Sequence, residues 1–521
     1  MMVNLVPVPV MLTFFGAAIA LLFPRRPRVQ RAISVGALLG VAVLAAVFIV
    51  FTDREGPLAL WIGDWPVPLG IVLVADRLSA LMLLVASIVA LSVLVFSTGQ
   101  DSDEVRRETP VSIFHPTFLL LMAGISNAFL AGDLFNMFVG FEIFLFASYV
   151  LLTLGGTKER IRAGTTYVIV SLLSSTLFLT SLAAIYAATG TVNMAQLSLR
   201  LAELSPPVQL LLQSMLLTTF AIKAAVFPLS SWLPDSYPTA PAPVTAVFAG
   251  LLTKVGIYAI IRTQTVLFPD SPLTGLLMVA ALLTMVLGIL GALAQVEIKR
   301  MLSFTLVSHL GYMVFGISLA SHDGLSATIY YTAHHITIQA ALFLVTGLIE
   351  RRGGTTSLDG LGGLLKTSPL LALLFFVPAM NLGGIPPLSG FLGKVGLLEA
   401  GAAHGGWLAW VVMAGGILTS LLTLMAMAKV WNRAFWGTAP APATAQGSSS
   451  GHGSTSGHDG QPPVDDQRRM PPLMVFATSV LIAFSLALTV LAGPLYAYAE
   501  RAADSIRGAN YVTAVLPEGV R

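Results

Sequence analysis

Hydrophobic positions along this chain come in long runs, and polar positions serve mainly to separate them. Each run is about 20 residues, the length a helix needs to cross the hydrocarbon core of a bilayer. The pattern places spans at 3–23, 31–51, 72–96, 114–131, 134–154, 163–188, 208–227, 241–264, 273–294, 300–320, 325–348, 369–400, 406–430 and 472–497. The twelfth is broken in its middle. The predicted fold is an all-α integral-membrane bundle of about fourteen transmembrane helices. The first run lacks a basic segment ahead of it and reads as a retained helix, not a cleaved signal. Between spans, 192–204 is polar with spaced leucines and predicts a short interfacial helix. The stretch 437–467 is a Gly/Ser/Pro-rich flexible linker. A disordered tether explains its His452 and His458 better than a metal site does.

Composition supports the membrane assignment. Of 521 residues, 56% are hydrophobic and 10% charged, where ordinary domains carry about 25% charged residues. Mean hydropathy is +0.84. There is no cysteine, which excludes disulfides, thiolate metal sites and cysteine-ligated iron–sulfur clusters. The net charge of +3 says less than its distribution. One set of alternate loops holds most of the Lys and Arg, including Arg25, Arg26, Arg28, Arg31, Arg106, Arg107, Lys158, Arg160 and Arg162. The other holds Arg54, Arg77, Arg200, Arg262, Arg501, Arg507 and Arg521. The positive-inside rule makes the first set cytoplasmic and puts both termini outside.

Four ionisable side chains fall deep inside apolar runs: Glu142, Lys223, Lys254 and Lys394. Each costs roughly 2.5–3.5 kcal/mol at the centre of a membrane helix, so each must meet a partner, water or another of the four. Glu142 is the one acid among them, and a Glu142–Lys223 pair between neighbouring helices is the economical arrangement. Retention of such a pair for packing specificity is the bland alternative. The chemical alternative is a proton relay. Burial disfavours a charged lysine and a nearby carboxylate favours it, so moving Glu142 would load or eject a proton at Lys223. Lys254 and Lys394 would continue the row.

Two helix breaks accompany these residues. Pro228 follows Lys223, and Gly383, Gly384, Pro386 and Pro387 precede Lys394. Proline removes an N–H and frees a carbonyl, and unwound backbone at membrane depth is tolerated where it lines a wet cavity. The hexapeptides from Pro228 (PLSSWL) and Pro387 (PLSGFL) match. Their spacing implies two inverted five-helix repeats. The corresponding segments are an N-terminal 1–113, repeats at 114–264 and 265–430, the linker at 431–471, and a last helix and tail at 472–521.

His309, His334 and His335 form a second tier on the tenth and eleventh spans, suited to shuttling protons. Satisfied interhelical hydrogen bonds are the bland alternative. Gln339 lies one turn past His335. Lys299 reads mainly as a cytoplasmic orientation signal, Asp235 as lining an access path, and Asp76 and Asp133 as N-caps.

As a set, FNMFVGFEIFLFASYVLL, FPLSSWLPDSYPTAPAPVTAVFAGLLTKVGIYAIIR, EIKRMLSFTLVSHLGYM and GGIPPLSGFLGK resemble the antiporter-like subunits shared by respiratory complex I and Mrp-type Na+/H+ antiporters. The wording is closest to the D subunit of the Mrp type, and the likeness covers roughly residues 70–430. The resemblance implies fourteen helices, inverted repeats and broken helices seven and twelve. It implies a functional glutamate at Glu142, lysines at Lys223, Lys254 and Lys394, and histidines at His309, His334 and His335. It also implies a hetero-oligomer of membrane subunits with no cofactor. Such subunits often carry lysine where this chain has Gln339.

The leading expectation is a proton-translocating subunit of a Na+/H+ or K+/H+ antiporter in a prokaryotic cell membrane, not an enzyme. No coordinated cluster of acids suggests a sodium site, so protons are expected to cross this chain and sodium a neighbour. The alternative within the same family is a redox-driven proton-pumping subunit of complex I or a related membrane hydrogenase. A lipid-modifying membrane enzyme would need an HExxH or DDxxD motif, which the sequence lacks. A scaffold subunit would tolerate loss of Lys223 and Glu142.

Overall fold

The computed structural model describes residues 2–65, 68–100, 111–438, 470–507 and 509–516. Most of the linker, with His452 and His458, and Arg106, Arg107, Arg468, Arg469 and Arg521 lie outside the described residues. The helices, in chain order, begin with α1 Val8–Leu21, α2 Pro27–Glu55, α3 Arg77–Thr98, α4 Val111–Leu130, α5 Leu134–Thr153 and α6 Lys158–Thr189. The short α7 Met194–Ala202 leads to α8 Pro206–Ala224 and the single turn α9 Trp232–Ser236. Next come α10 Ala242–Leu267, α11 Thr274–Leu293, α12 Ile298–Ser318, α13 His322–Gly353 and the turn α14 Leu364–Thr367. The chain continues through α15 Pro369–Gly383 and α16 Ser389–His404 to α17 Trp407–Trp436. It ends with α18 Pro472–Val490, α19 Ala492–Ser505 and α20 Ala509–Val515.

Among the described residues, twelve helices are long and apolar enough to cross a membrane. The seventh and twelfth expected spans correspond to α8 and to the pair α15–α16, which are not among the twelve. Two boundaries depart from expectation. The third span is expected from 72, but Val72–Ala75 is a strand, β2, antiparallel to β1 (Leu58–Trp61) with Leu58 opposite Ala75. Valine favours the pleated conformation, and Asp76 starts the helix only afterwards. Its side chain accepts from Ser79 N at 2.9 Å and Ser79 Oγ accepts from Asp76 N at 2.8 Å, a reciprocal cap. The last span, expected to 497, ends at Val490. A turn at Leu491 separates it from α19, which carries Pro494 in its first turn.

The helices carrying the titratable residues lie innermost. The most apolar stretch of α10 and of α13 is 100% buried and that of α12 94%, against 28% and 33% at the N-terminal pair of helices. A helix with lysine or histidine on its face needs protein around it on all sides, and these three have it. Neighbours approach closely where glycine permits. A Cβ on Gly124 would run into Phe144 N, and one on Gly140 would lie 2.8 Å from Ala128 N, so α4 and α5 pack backbone to backbone.

Candidate functional site

Glu142 is half-buried on α5, on a helix face otherwise carrying Phe135, Phe138 and Phe146. Its partner is not Lys223 directly. Ser175 on α6 donates its hydroxyl to Glu142 Oε1, and Lys223 Nζ donates to Ser175 Oγ at 3.2 Å. No direct ion pair joins the two among the described residues, so the expected pair is a bridge of three residues on three helices. Lys223 sits in the last turn of α8, its ammonium 5.0 Å above the Phe141 ring. Beside it lies a cavity of about 20 Å³ lined by Tyr167, Ser171, Ser174, Lys223, Trp232 and Tyr237, room for about one water.

The first break begins directly after Lys223. Helix α8 stops at Ala224, and Ala225 takes a left-handed φ of 55°. Pro228 follows, and Phe227 N turns outward to donate to Thr284 Oγ1 at 3.0 Å. Trp232 Nε1 donates to the Ile222 carbonyl at 3.1 Å, so the groups freed by the break find partners. A cavity of about 290 Å³ opens here, lined by Phe227, Ser230, Asp235, Thr284, Arg300 and Phe304. Asp235 lies at its mouth, paired with Arg300 at 2.8 Å.

Lys254 is fully buried. A π turn, Phe248–Leu252, precedes it, and its ammonium donates to the Ala249 carbonyl at 2.5 Å. Interruptions of this kind recur at functional sites.

In the second half the aromatic residues gather. His309 on α12 pairs through Nδ1 with Tyr331 OH at 2.7 Å and through Nε2 with Thr423 Oγ1 at 3.4 Å. The His335 ring lies 5.2 Å from it. His334 bonds Ser389 Oγ at 2.9 Å, at the start of α16, where Asn381 Oδ1 also accepts from Gly390 N at 2.8 Å. Lys394 caps the second break. Its Nζ donates to the carbonyls of Leu382 and Gly383 at 3.1 and 3.2 Å and lies 5.1 Å from the Tyr312 ring centre. Gly384 has a φ of +84°, and Pro386 and Pro387 complete the gap. A cis peptide precedes the first proline of both PLS motifs, at Phe227–Pro228 and Pro386–Pro387.

Each helix of this series packs against the next: α5 on α6, α6 on α8, α8 on α10, α10 on α12 and α13, and α16 on both α12 and α13. Two expected residues are bonded to groups outside the row these helices carry. Lys299 pairs with Glu350 at 2.8 Å near the helix ends, and Gln339 donates to the Leu302 carbonyl at 2.8 Å. Sequence reasoning misses the hydroxyls of Ser175, Tyr331 and Ser389. The run Ser171, Ser174, Ser175 inside an apolar span is the available signal for the first. Arg262, which the charge pattern assigns to a loop, is instead buried and paired with Asp76.

These features define a multi-pass membrane protein with titratable groups held at the centre of its bundle, a transporter architecture. The chain belongs to the NADH:quinone oxidoreductase/Mrp antiporter transmembrane family, whose profile matches residues 131–423. It is 43% identical over 437 residues to the Na(+)/H(+) antiporter D subunit of Alkalihalophilus pseudofirmus and 36% identical over the same length to that of Bacillus subtilis. Both alignments cover 83% of this chain and 87% of the relative. Among solved structures, a chain of the Mrp complex from Dietzia sp. DQ12-45-1b matches with a TM-score of 0.85 and 32% identity, covering 99% of both chains. A chain of the membrane-bound sulfane sulfur reductase, an archaeal respiratory membrane complex, matches at 0.81 and 26%, covering 97% of this chain and 99% of that one. These likenesses agree with the motif-based resemblance and place the chain among transporter subunits, not membrane enzymes.

Proposed function

We propose that this chain is the proton-translocating subunit of a multisubunit monovalent cation/proton antiporter, with Na+ as the exchanged cation. Protons move along Glu142, Lys223, Lys254, His309, His334, His335 and Lys394. The observation carrying this reading is the company the lysines keep. Lys254 and Lys394 are buried against backbone carbonyls at a π turn and at a helix break, with no carboxylate bonded to either among the described residues. A lysine retained for stability would be expected to hold an acid partner. A lysine that must gain and lose a proton is better served by neutral acceptors, which leave both states accessible.

Protons reach Lys223 from the cytoplasmic side through the cavity at Pro228 and Asp235, both termini facing outward. Approach of Glu142 favours the charged form of Lys223, and its withdrawal releases the proton to the second half. Lys299 and Gln339 flank this route and are not its main groups. The cation crosses a neighbouring subunit, and the complex lies in a prokaryotic cell membrane. The two antiporter relatives and the Mrp complex neighbour support this assignment. The redox-driven alternative is favoured by the fold likeness to the reductase complex, and copurification with flavin or iron–sulfur subunits would select it.

The test is collapse of ΔpH on adding Na+, K+ or Li+ to inverted membrane vesicles containing the assembled complex. Lys223→Ala is expected to abolish the response. Undiminished exchange with that variant would overturn the reading.

A further inference from the structure

We propose that Ser175 is a relay residue, the hydroxyl through which a proton passes between Lys223 and Glu142. The inference rests on the proton-translocating reading above. It is carried by an ordered chain of donors: Lys223 Nζ donates to Ser175 Oγ at 3.2 Å, and the same hydroxyl donates onward to Glu142 Oε1. Ser175 is 7% exposed, so bulk water does not compete for the contact. With Lys223 and Glu142 on α8 and α5, the serine of the intervening α6 is, among the described residues, the one side chain bonded to both.

The transfer balances without any further reactant. An N–H bond of the Lys223 ammonium breaks as its proton forms a bond to Ser175 Oγ. In the same motion the original Ser175 O–H breaks and its proton bonds to Glu142 Oε1. Ammonium plus carboxylate become amine plus carboxylic acid, and the serine ends as a neutral hydroxyl pointing back at Lys223. Run in reverse, a protonated Glu142 loads a neutral Lys223 through the same hydroxyl, and the resulting ammonium releases its proton to the second half. Rotation of the serine hydroxyl resets the wire. The arrangement works in either direction. It also explains how Glu142 and Lys223 exchange a proton without direct contact.

The decisive comparison is Ser175→Thr against Ser175→Val, which match in shape and differ by the hydroxyl. Both are measured as Na+-induced ΔpH collapse in inverted vesicles, with assembly followed by copurification of the neighbouring subunits. Threonine is expected to stay near wild type, and valine to fall by roughly 100-fold, the usual scale for a lost proton-transfer group. A merely structural serine would give equal losses for both, and that result would overturn the relay. Should valine impair assembly, Ser175→Ala removes the hydroxyl with less bulk, and full exchange with alanine would overturn the proposal equally. Lys223→Ala measured in parallel separates the two claims. If Lys223→Ala is inactive while Ser175→Val is fully active, the relay fails alone. If Lys223→Ala is fully active, the transport reading itself fails.

Discussion

Arg262 grips Asp76 in a bidentate pair, Nη1 to Oδ2 at 2.6 Å and Nη2 to Oδ1 at 2.7 Å, with both side chains 1% exposed. Tyr258 completes the site, accepting from Arg262 Nε at 2.9 Å and donating to the Phe129 carbonyl at 2.6 Å. The pair ties the start of α3 to α10, about two turns beyond Lys254. Removing one partner strands a buried charge, and Arg262→Ala is expected to cost about 3–5 kcal/mol. Thermal unfolding of the detergent-solubilised complex should show it. The double variant Asp76→Leu, Arg262→Met, which removes both charges, should recover most of the loss, because replacing a whole buried pair with apolar groups is often neutral.

That pair also marks where sequence reading stops. Hydrophobic runs locate the helices because bilayer thickness fixes their length. Buried Lys223, Lys254 and Lys394 are legible because little besides function accounts for a lysine inside an apolar run. Arg262 is different: it lies near a span end, where the positive-inside rule offers a ready account, and only the tertiary fold brings it to Asp76. Ser175 is hidden for another reason. A serine in a membrane helix usually bonds its own backbone, as Ser181 does to the Leu177 carbonyl at 2.7 Å, so its bridging role depends on where α5 and α8 fall. Strand β2 escapes notice because four apolar residues next to a span look like more span.

Gly383 and Gly384 are adjacent yet should respond differently to alanine. Gly384 has a φ of +84°, and a Cβ there would lie 3.1 Å from Lys394 Cδ and 3.2 Å from its Nζ. The left-handed conformation alone costs a non-glycine residue about 1–2 kcal/mol, and the methyl would crowd the ammonium off its two carbonyls. At Gly383 the nearest atom is Leu424 Cδ1 at 3.5 Å, an ordinary contact. Gly384→Ala should lower exchange severalfold in an assembled complex, with Gly383→Ala close to wild type. Equal activities would remove Lys394 placement from the mechanism.

Asp133 supplies a pH-dependent contribution outside the spans. It caps α5, accepting from Asn136 N at 2.6 Å and Val72 N at 3.3 Å. Burial pushes its carboxyl up to about 6, against those hydrogen bonds. An unfolded aspartate titrates near about 4. With the folded value the higher, the site contributes stability that is fully present below about 4 and lost as pH rises through about 6. Asp133→Asn keeps an acceptor for the cap and carries no charge. Its stability relative to wild type should improve between about pH 4 and 6 and level off above that, read as unfolding midpoints across that range, whereas an unchanged difference would mean the carboxylate is not penalised.

His309 and His335 lie in one cluster, rings 5.2 Å apart, but are held differently, and that separates stability from transport. His309 bonds Tyr331 and Thr423, whereas neither ring nitrogen of the fully buried His335 has a hydrogen-bond partner among the described residues. A buried polar atom without a protein partner costs about 1–3 kcal/mol, so His335 is a poor choice for packing alone. Replacing it with leucine should leave the solubilised complex as stable as wild type or more so. The same change to His309 should destabilise it, because Tyr331 then loses its partner. If His335 passes protons, His335→Leu should nonetheless lower Na+-driven ΔpH collapse by about tenfold or more, on the scale of a removed proton-transfer group. A variant that is both more stable and fully active would remove His335 from the pathway and leave His309, Tyr331 and His334 as the connection toward Lys394.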